Sequence, residues 1–188
     1  MRPDAAHSGD RRLPGSQPTV VILASGRGER FVASGGTGSK LRAMLHGKTV
    51  LQRTVDAVRA SGLPLHVETG PHPGMGDSIA AAVRATQDAA GWLVLPGDLP
   101  LIRPETLRAV ANALSDHAAV YPTFEGVRGH PVGFSRACRA ELESLEGNQG
   151  AAPVLIAWSA IELVVSDAGA VTDIDTLDDL NRVAQGLG

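Results

Sequence analysis

The stretch Thr19-Val20-Val21-Ile22-Leu23-Ala24-Ser25-Gly26-Arg27-Gly28-Glu29-Arg30-Phe31 runs from an unbroken apolar segment straight into a glycine-rich turn. An apolar run of this length, bounded by Pro18 and Gly26, reads as a parallel strand covered on both faces. Glycines placed directly after it let backbone N–H groups close on a ligand, and such amides suit phosphate oxygens. The plain alternative is a tight turn. A dinucleotide fingerprint fails, because Phe31 stands where a third glycine is needed and the nearest strand-ending acid, Glu68, is too distant. A P-loop fails too, since Gly38 is followed by Ser39, Lys40 and Leu41.

Outward from this stretch, apolar runs alternate with helical stripes. Strands are expected at residues 63–68, 92–96, 118–121, 130–134 and 161–165. Helices are expected from a Thr49/Gln52 capping box to Gly62, and at residues 78–90, 104–114, 136–145, 152–157 and 177–185. The alternation predicts an α/β sandwich over residues 18–188 with a mostly parallel central sheet. Residues 1–17, polar and without periodicity, read as a flexible leader.

Composition narrows the function. Of 188 residues, 43% are hydrophobic and only 3% aromatic, so aliphatic side chains must build the core and no platform for stacking bases is offered. A net charge of −3 argues against nucleic acid as partner. No apolar run reaches the roughly 20 residues that span a bilayer, and no signal-peptide core is seen, so the expected location is the cytoplasm. The single cysteine, Cys138, cannot form an internal disulfide, and it reads as a packed side chain rather than a nucleophile. His46, His66, His72 and His117 show no metal-ligand spacing, and no hydrolase triad order is present.

Two further segments carry carboxylates. Asp98, in Pro96-Gly97-Asp98-Leu99-Pro100-Leu101, follows a strand, where ligands of open α/β sheets bind. It would either hold a hard cation or cap the next turn. In Val171-Thr172-Asp173-Ile174-Asp175-Thr176-Leu177-Asp178-Asp179-Leu180, Thr176 reads as an N-cap with Asp178 and Asp179 at the positive end of the helix. Asp173 and Asp175 are left over, pointing the same way if extended, and either would supply a second metal ligand.

Taken in order, the loop with Arg30 and Lys40, then Gly97-Asp98-Leu99-Pro100-Leu101, then Asp173-Ile174-Asp175-Thr176-Leu177 resemble the MobA-like nucleotidyltransferases, and within them the molybdenum cofactor cytidylyltransferases. Gly74-Met75-Gly76-Asp77-Ser78, Gly129-His130-Pro131-Val132 and Gly147-Asn148-Gln149-Gly150-Ala151 add to the resemblance, which spans about residues 19–183. It implies a single three-layer, Rossmann-like nucleotidyltransferase domain and transfer of a nucleoside monophosphate, CMP from CTP, onto a phosphorylated acceptor of the molybdopterin type, with Mg²⁺ as cofactor and a molybdoenzyme or its chaperone as protein partner. Guanylyl transfer from GTP, another phosphorylated acceptor, or a nucleotide-binding chaperone with weakened activity are the alternatives; an NAD(P)-linked oxidoreductase is a more distant one.

The resemblance also implies roles. Leu23, Ala24, Ser25, Gly26, Arg27, Gly28, Arg30, Lys40, Gly76 and Ser78 would bind the nucleotide, with Arg30, Lys40 and Asp98 catalytic. Asp98 and Asp173 would hold the metal, and His130 and Asn148 would meet the acceptor. Four departures stand out. The loop before Lys40 is expanded by Val-Ala-Ser-Gly-Gly-Thr-Gly-Ser, which implies a mobile Lys40 in the free protein. A strand-and-helix unit between Glu68 and Gly74 is missing, Asn148 and Ala152 replace the usual Asp and Arg, and Ser25 stands where cytidylyl relatives carry Ala.

Overall fold

A computed structural model describes residues 16–26 and 28–186; most of the expected leader (residues 1–15) and Arg27 lie outside the described residues. Among those described, seven strands form one sheet. They are β1 (Thr19–Leu23), β4 (Leu65–Glu68), β5 (Gly91–Pro96), β6 (Ala119–Phe124), β7 (Val127–Arg128), β8 (Val132–Ser135) and β9 (Ile161–Val164). The strand order is β4-β1-β5-β8-β6-β7, with β9 paired to β6. A small hairpin, β2 (Met44–Leu45) and β3 (Lys48–Thr49), stands apart. The helices are α1 (Glu29–Ala33), α2 (Val50–Ser61), α3 (Met75–Ala85), α4 (Pro104–Ala113), α5 (Arg139–Glu143), α6 (Ala152–Ala157) and α7 (Leu177–Gly186).

The three layers follow from the two central strands. In β1 and β5, Val21, Trp92 and Val94 face one core with Ile79, Val83, Leu142 and Val154 of α3, α5 and α6. The alternating Val20, Ile22, Leu93 and Leu95 face the other, with Val58 of α2 and Leu107 and Val110 of α4. Residues covered on both sides cannot alternate in polarity, which is why these strands read as continuous apolar runs. The sheet is mostly parallel, as expected, but β8 enters antiparallel between β5 and β6.

The capping box forms as read: the Thr49 hydroxyl accepts from the Gln52 N–H at 3.1 Å, and the Gln52 side chain accepts from the Thr49 N–H at 2.8 Å. Other boundaries move. Helix α3 begins at Met75 rather than 78, because Gly74 and Gly76 let the 146–148 backbone pack against its first turn. Strand β8 begins at Val132 rather than 130, and Pro131 has no N–H to extend the ladder. The segment expected as a helix at 136–145 starts as a 3-10 turn and becomes helical at Arg139. Residues 69–74 connect β4 to α3 directly, in keeping with the missing unit. Cys138 is fully buried, and burial pushes its thiol up to about 11, so it serves the core and not chemistry.

Candidate active site

A cavity of about 840 Å³ opens at the carboxyl edge of the sheet, lined by the loop after β1, by Asp98 after β5, by the start of α3, and by Arg128, His130, Asp173 and Asp175. The carboxylates are brought there by a close-packed corner. The buried Asp167 carboxylate accepts from the Arg103 N–H at 3.0 Å, the Thr106 hydroxyl at 2.6 Å and the Gly169 N–H at 2.9 Å. Gly169 lies against the Leu101 backbone so tightly that a Cβ would sit 2.1 Å from its carbonyl oxygen. The Ile174 N–H then donates to the Asp98 carbonyl at 3.0 Å, setting Asp173 and Asp175 beside Asp98. Gly169→Ala should therefore lower stability by about 2 kcal/mol, since backbone cannot move aside as a flexible side chain would. In a chain of this size thermal unfolding should register a fall of about 4–8 °C.

Asp98, Asp173 and Asp175 each offer an oxygen within 4.8 Å of the others. Lys40 lies between two of them, its Nζ 2.6 Å from Asp98 Oδ2 and 2.5 Å from Asp175 Oδ1. Arg30 donates to the other Asp175 oxygen at 2.5 Å. The expanded loop thus does not leave Lys40 loose: a 3-10 turn (Lys40–Arg42) with buried Leu41 seats it, and two carboxylates hold it. Burial alone would lower the Lys40 pKa, but Asp98 and Asp175 outweigh it and raise it. Hydrogen bonding and charge from Lys40 and Arg30 hold Asp175 below the usual carboxylate range. Asp173 is pushed up, first by lost hydration in the cavity wall and then by Asp175 and Asp98.

A divalent cation fits this cluster. The buried Asp98 Oδ1 has no hydrogen-bond partner among the described residues. Around one octahedral Mg²⁺ with ligands at about 2.1 Å, neighbouring oxygens lie about 3.0 Å apart and opposite ones about 4.2 Å, so side-chain shifts of up to about 2 Å would gather the trio on one cation.

The remaining expected residues divide. Leu23, Ser25, Gly26, Gly28 and Ser78 line the cavity, with Ser25 Oγ and Ser78 Oγ 2.9 Å apart. Ala24 faces a neighbouring hollow instead. Gly76 does not reach the cavity: it is buried, and its N–H donates to the Gly147 carbonyl at 2.9 Å. Its glycine is required by packing, since a Cβ would meet the Glu146 backbone at 2.7 Å. Asn148 and His130 both line the cavity but come from different walls, Asn148 from the loop over α3 and His130 from beside Ala170, whose carbonyl accepts its N–H at 2.8 Å. Burial lowers the His130 pKa against the opposing pull of Asp98. Sequence reading passed over Glu68, which organises the shortened loop by accepting from the Gly70 N–H at 2.9 Å and pairing with His72 Nε2 at 3.0 Å. Their spacing at i and i+4 outside a helix carried no signal.

The MobA-like NTP transferase domain matches residues 20–162. The chain belongs to that family. Among curated proteins it is 36% identical over 136 residues to 2-C-methyl-D-erythritol 4-phosphate cytidylyltransferase of Frankia casuarinae, covering 59% of this chain and 50% of that protein. It is 28% identical over 128 residues to purine catabolism protein PucB of Bacillus subtilis, covering 65% and 62%. The chain thus spans about half to three-fifths of the length of these relatives. Its fold is that of Rv0371c from Mycobacterium tuberculosis, with a TM-score of 0.75 at 24% identity over 90% of this chain and 99% of that one. Molybdopterin-guanine dinucleotide biosynthesis protein A from Archaeoglobus fulgidus shares it at TM-score 0.67 and 18% identity, over 90% and 98%. No helix among the described residues is long and apolar enough to cross a membrane.

Proposed function

We propose that the protein is a Mg²⁺-dependent cytidylyltransferase that moves CMP from CTP onto a phosphorylated acceptor of the molybdopterin type in the cytoplasm. The observation that carries the reading is the convergence of Asp98, Asp173 and Asp175 with Lys40 and Arg30 at the mouth of the glycine loop. Carboxylates that gather a cation, beside cations that meet phosphate, are what phosphoryl-type transfer needs, since its catalysis is mainly positioning and charge neutralisation.

Backbone N–H groups near Gly26 and Gly28 receive the triphosphate, and the left-handed backbone at Gly28 (φ 64°) shapes that turn. Lys40 leaves its carboxylates to meet charge near the α-phosphate. A cation held by Asp98, Asp173 and Asp175 would supply further neutralisation of the phosphate oxygens. An oxygen of the acceptor's phosphate forms the new bond to the α-phosphorus as the α–β bridging bond breaks, and pyrophosphate leaves with that electron pair. No protein nucleophile is used. The Ser25 and Ser78 hydroxyls, each both donor and acceptor and 2.9 Å apart, would read a base edge in this scheme, where Ser25 offers more bulk than the Gly of guanylyl relatives.

The Frankia relative, named a cytidylyltransferase of a phosphate monoester, supports cytidylyl transfer onto a phosphorylated acceptor and favours a second reading of the acceptor, a phosphate monoester other than the molybdopterin type. Thermal-shift titration with CTP, GTP, ATP and NADH, with and without Mg²⁺, tests the proposal. CTP with Mg²⁺ should give the largest stabilisation; tighter binding of GTP would reverse the base assignment, and a response to NADH alone would end the transferase reading.

A further inference from the structure

We propose that Arg128 anchors the phosphate group of the acceptor, so that the enzyme selects phosphate monoesters over the corresponding alcohols; this rests on the transfer reading above. The sheet order sets the geometry. The glycine loop follows β1, Asp98 follows the adjacent β5, and Arg128 lies on β7, beyond β8 and β6 on the far side of Asp98. Displacement at a phosphorus runs roughly in line, so the attacking oxygen enters opposite the departing pyrophosphate. With pyrophosphate on the side of Gly28 and Lys40, the entry side is the wall that carries Arg128 and His130.

That wall is built for an anion. Arg128, the last residue of β7, and His130, just beyond it, both line the cavity, while the intervening Gly129 packs against the Ala170 backbone. Among the described residues, the cations on the opposite wall are engaged, Arg30 with Asp175 and Lys40 with Asp98 and Asp175 until the nucleotide's α-phosphate takes it over. Arg128 has no carboxylate partner among the described residues; its guanidinium sits over the Tyr121 ring, 4.3 Å from the centroid. Stacking fixes the plane of the fork and leaves its edge N–H groups free for two parallel bonds to phosphate. A phosphate dianion approaching three carboxylates and a triphosphate needs such an uncommitted positive charge.

The test is calorimetric titration of phenyl phosphate, and of phenol as control, into the full chain with Mg²⁺ and a non-hydrolysable CTP analogue. R128Q should weaken phenyl phosphate by about tenfold or more. R128K should lose part of the affinity and Y121L less, with CTP-analogue binding unchanged in all three. Equal phenyl phosphate affinity in wild type and R128Q, or no preference of the wild type for phenyl phosphate over phenol, would overturn the assignment. Weakened analogue binding in R128Q would instead move Arg128 to the nucleotide and overturn it equally. Failure of the wild type to bind the analogue would overturn the transfer reading itself, and the anchor with it.

Discussion

Asp98→Asn is expected to abolish Mg²⁺-dependent binding of CTP and to cut transfer by more than about a thousandfold, well beyond the 10–100-fold that follows loss of an outer-shell partner. The side chain is aimed by the turn after β5, and its two oxygens have different tasks: Oδ2 meets Lys40 and the buried Oδ1 has no hydrogen-bond partner among the described residues. Asparagine keeps the shape but supplies one neutral acceptor and a donor that no cation tolerates. Folding should survive, because the tie between this turn and the late segment is the backbone bond from the Ile174 N–H to the Asp98 carbonyl, which the substitution leaves alone. Loss of the Lys40 pair is offset by relief of crowding among three carboxylates. Thermal unfolding of the metal-free protein should therefore stay within about 1 kcal/mol of wild type, while calorimetry shows no Mg²⁺-dependent nucleotide binding. Retained binding would remove Asp98 from the proposed cation site.

Lys40→Ala should lower turnover on the order of a hundredfold, the effect of losing one charge partner of a transition state. It should also do something that loss of a merely structural lysine would not. Lys40 now neutralises two of the three carboxylates, and among the described salt bridges its absence leaves only that of Arg30 with Asp175. Without nucleotide, the variant should bind a divalent cation such as Mn²⁺ more tightly than wild type, read by calorimetry or by the loss of free-ion paramagnetic signal. Wild-type turnover would take Lys40 out of the mechanism. Reduced turnover with weakened Mn²⁺ binding would show that the lysine supports the carboxylates rather than competing for them.

Much of this was determined by the sequence alone. The apolar runs at Val20–Ile22 and Trp92–Leu95 can only be buried on both faces, and all seven of those residues are at most 3% exposed. The Thr49/Gln52 box, Pro104 at a helix start and the Thr176 cap rest on chemistry between neighbours, so their placement needed no knowledge of the rest of the chain. The position of Asp98 followed from the strand before it. Tertiary structure decided what local signals do not encode. The five-residue α1 and the β2–β3 hairpin are too short to show a period. The antiparallel insertion of β8 depends on a connection, not on composition. The resemblance implies a ligand contact for Gly76, but a glycine in the first turn of a helix serves either a ligand or a close-packed backbone, and only the partner distinguishes the two. Most of all, Lys40 and Asp175 are 135 positions apart, and their 2.5 Å contact exists because Asp167 and Gly169 lock the late segment against the Leu101 backbone. Pairing between charges so remote in sequence is set by packed backbone, which no pattern of residue types along the chain expresses.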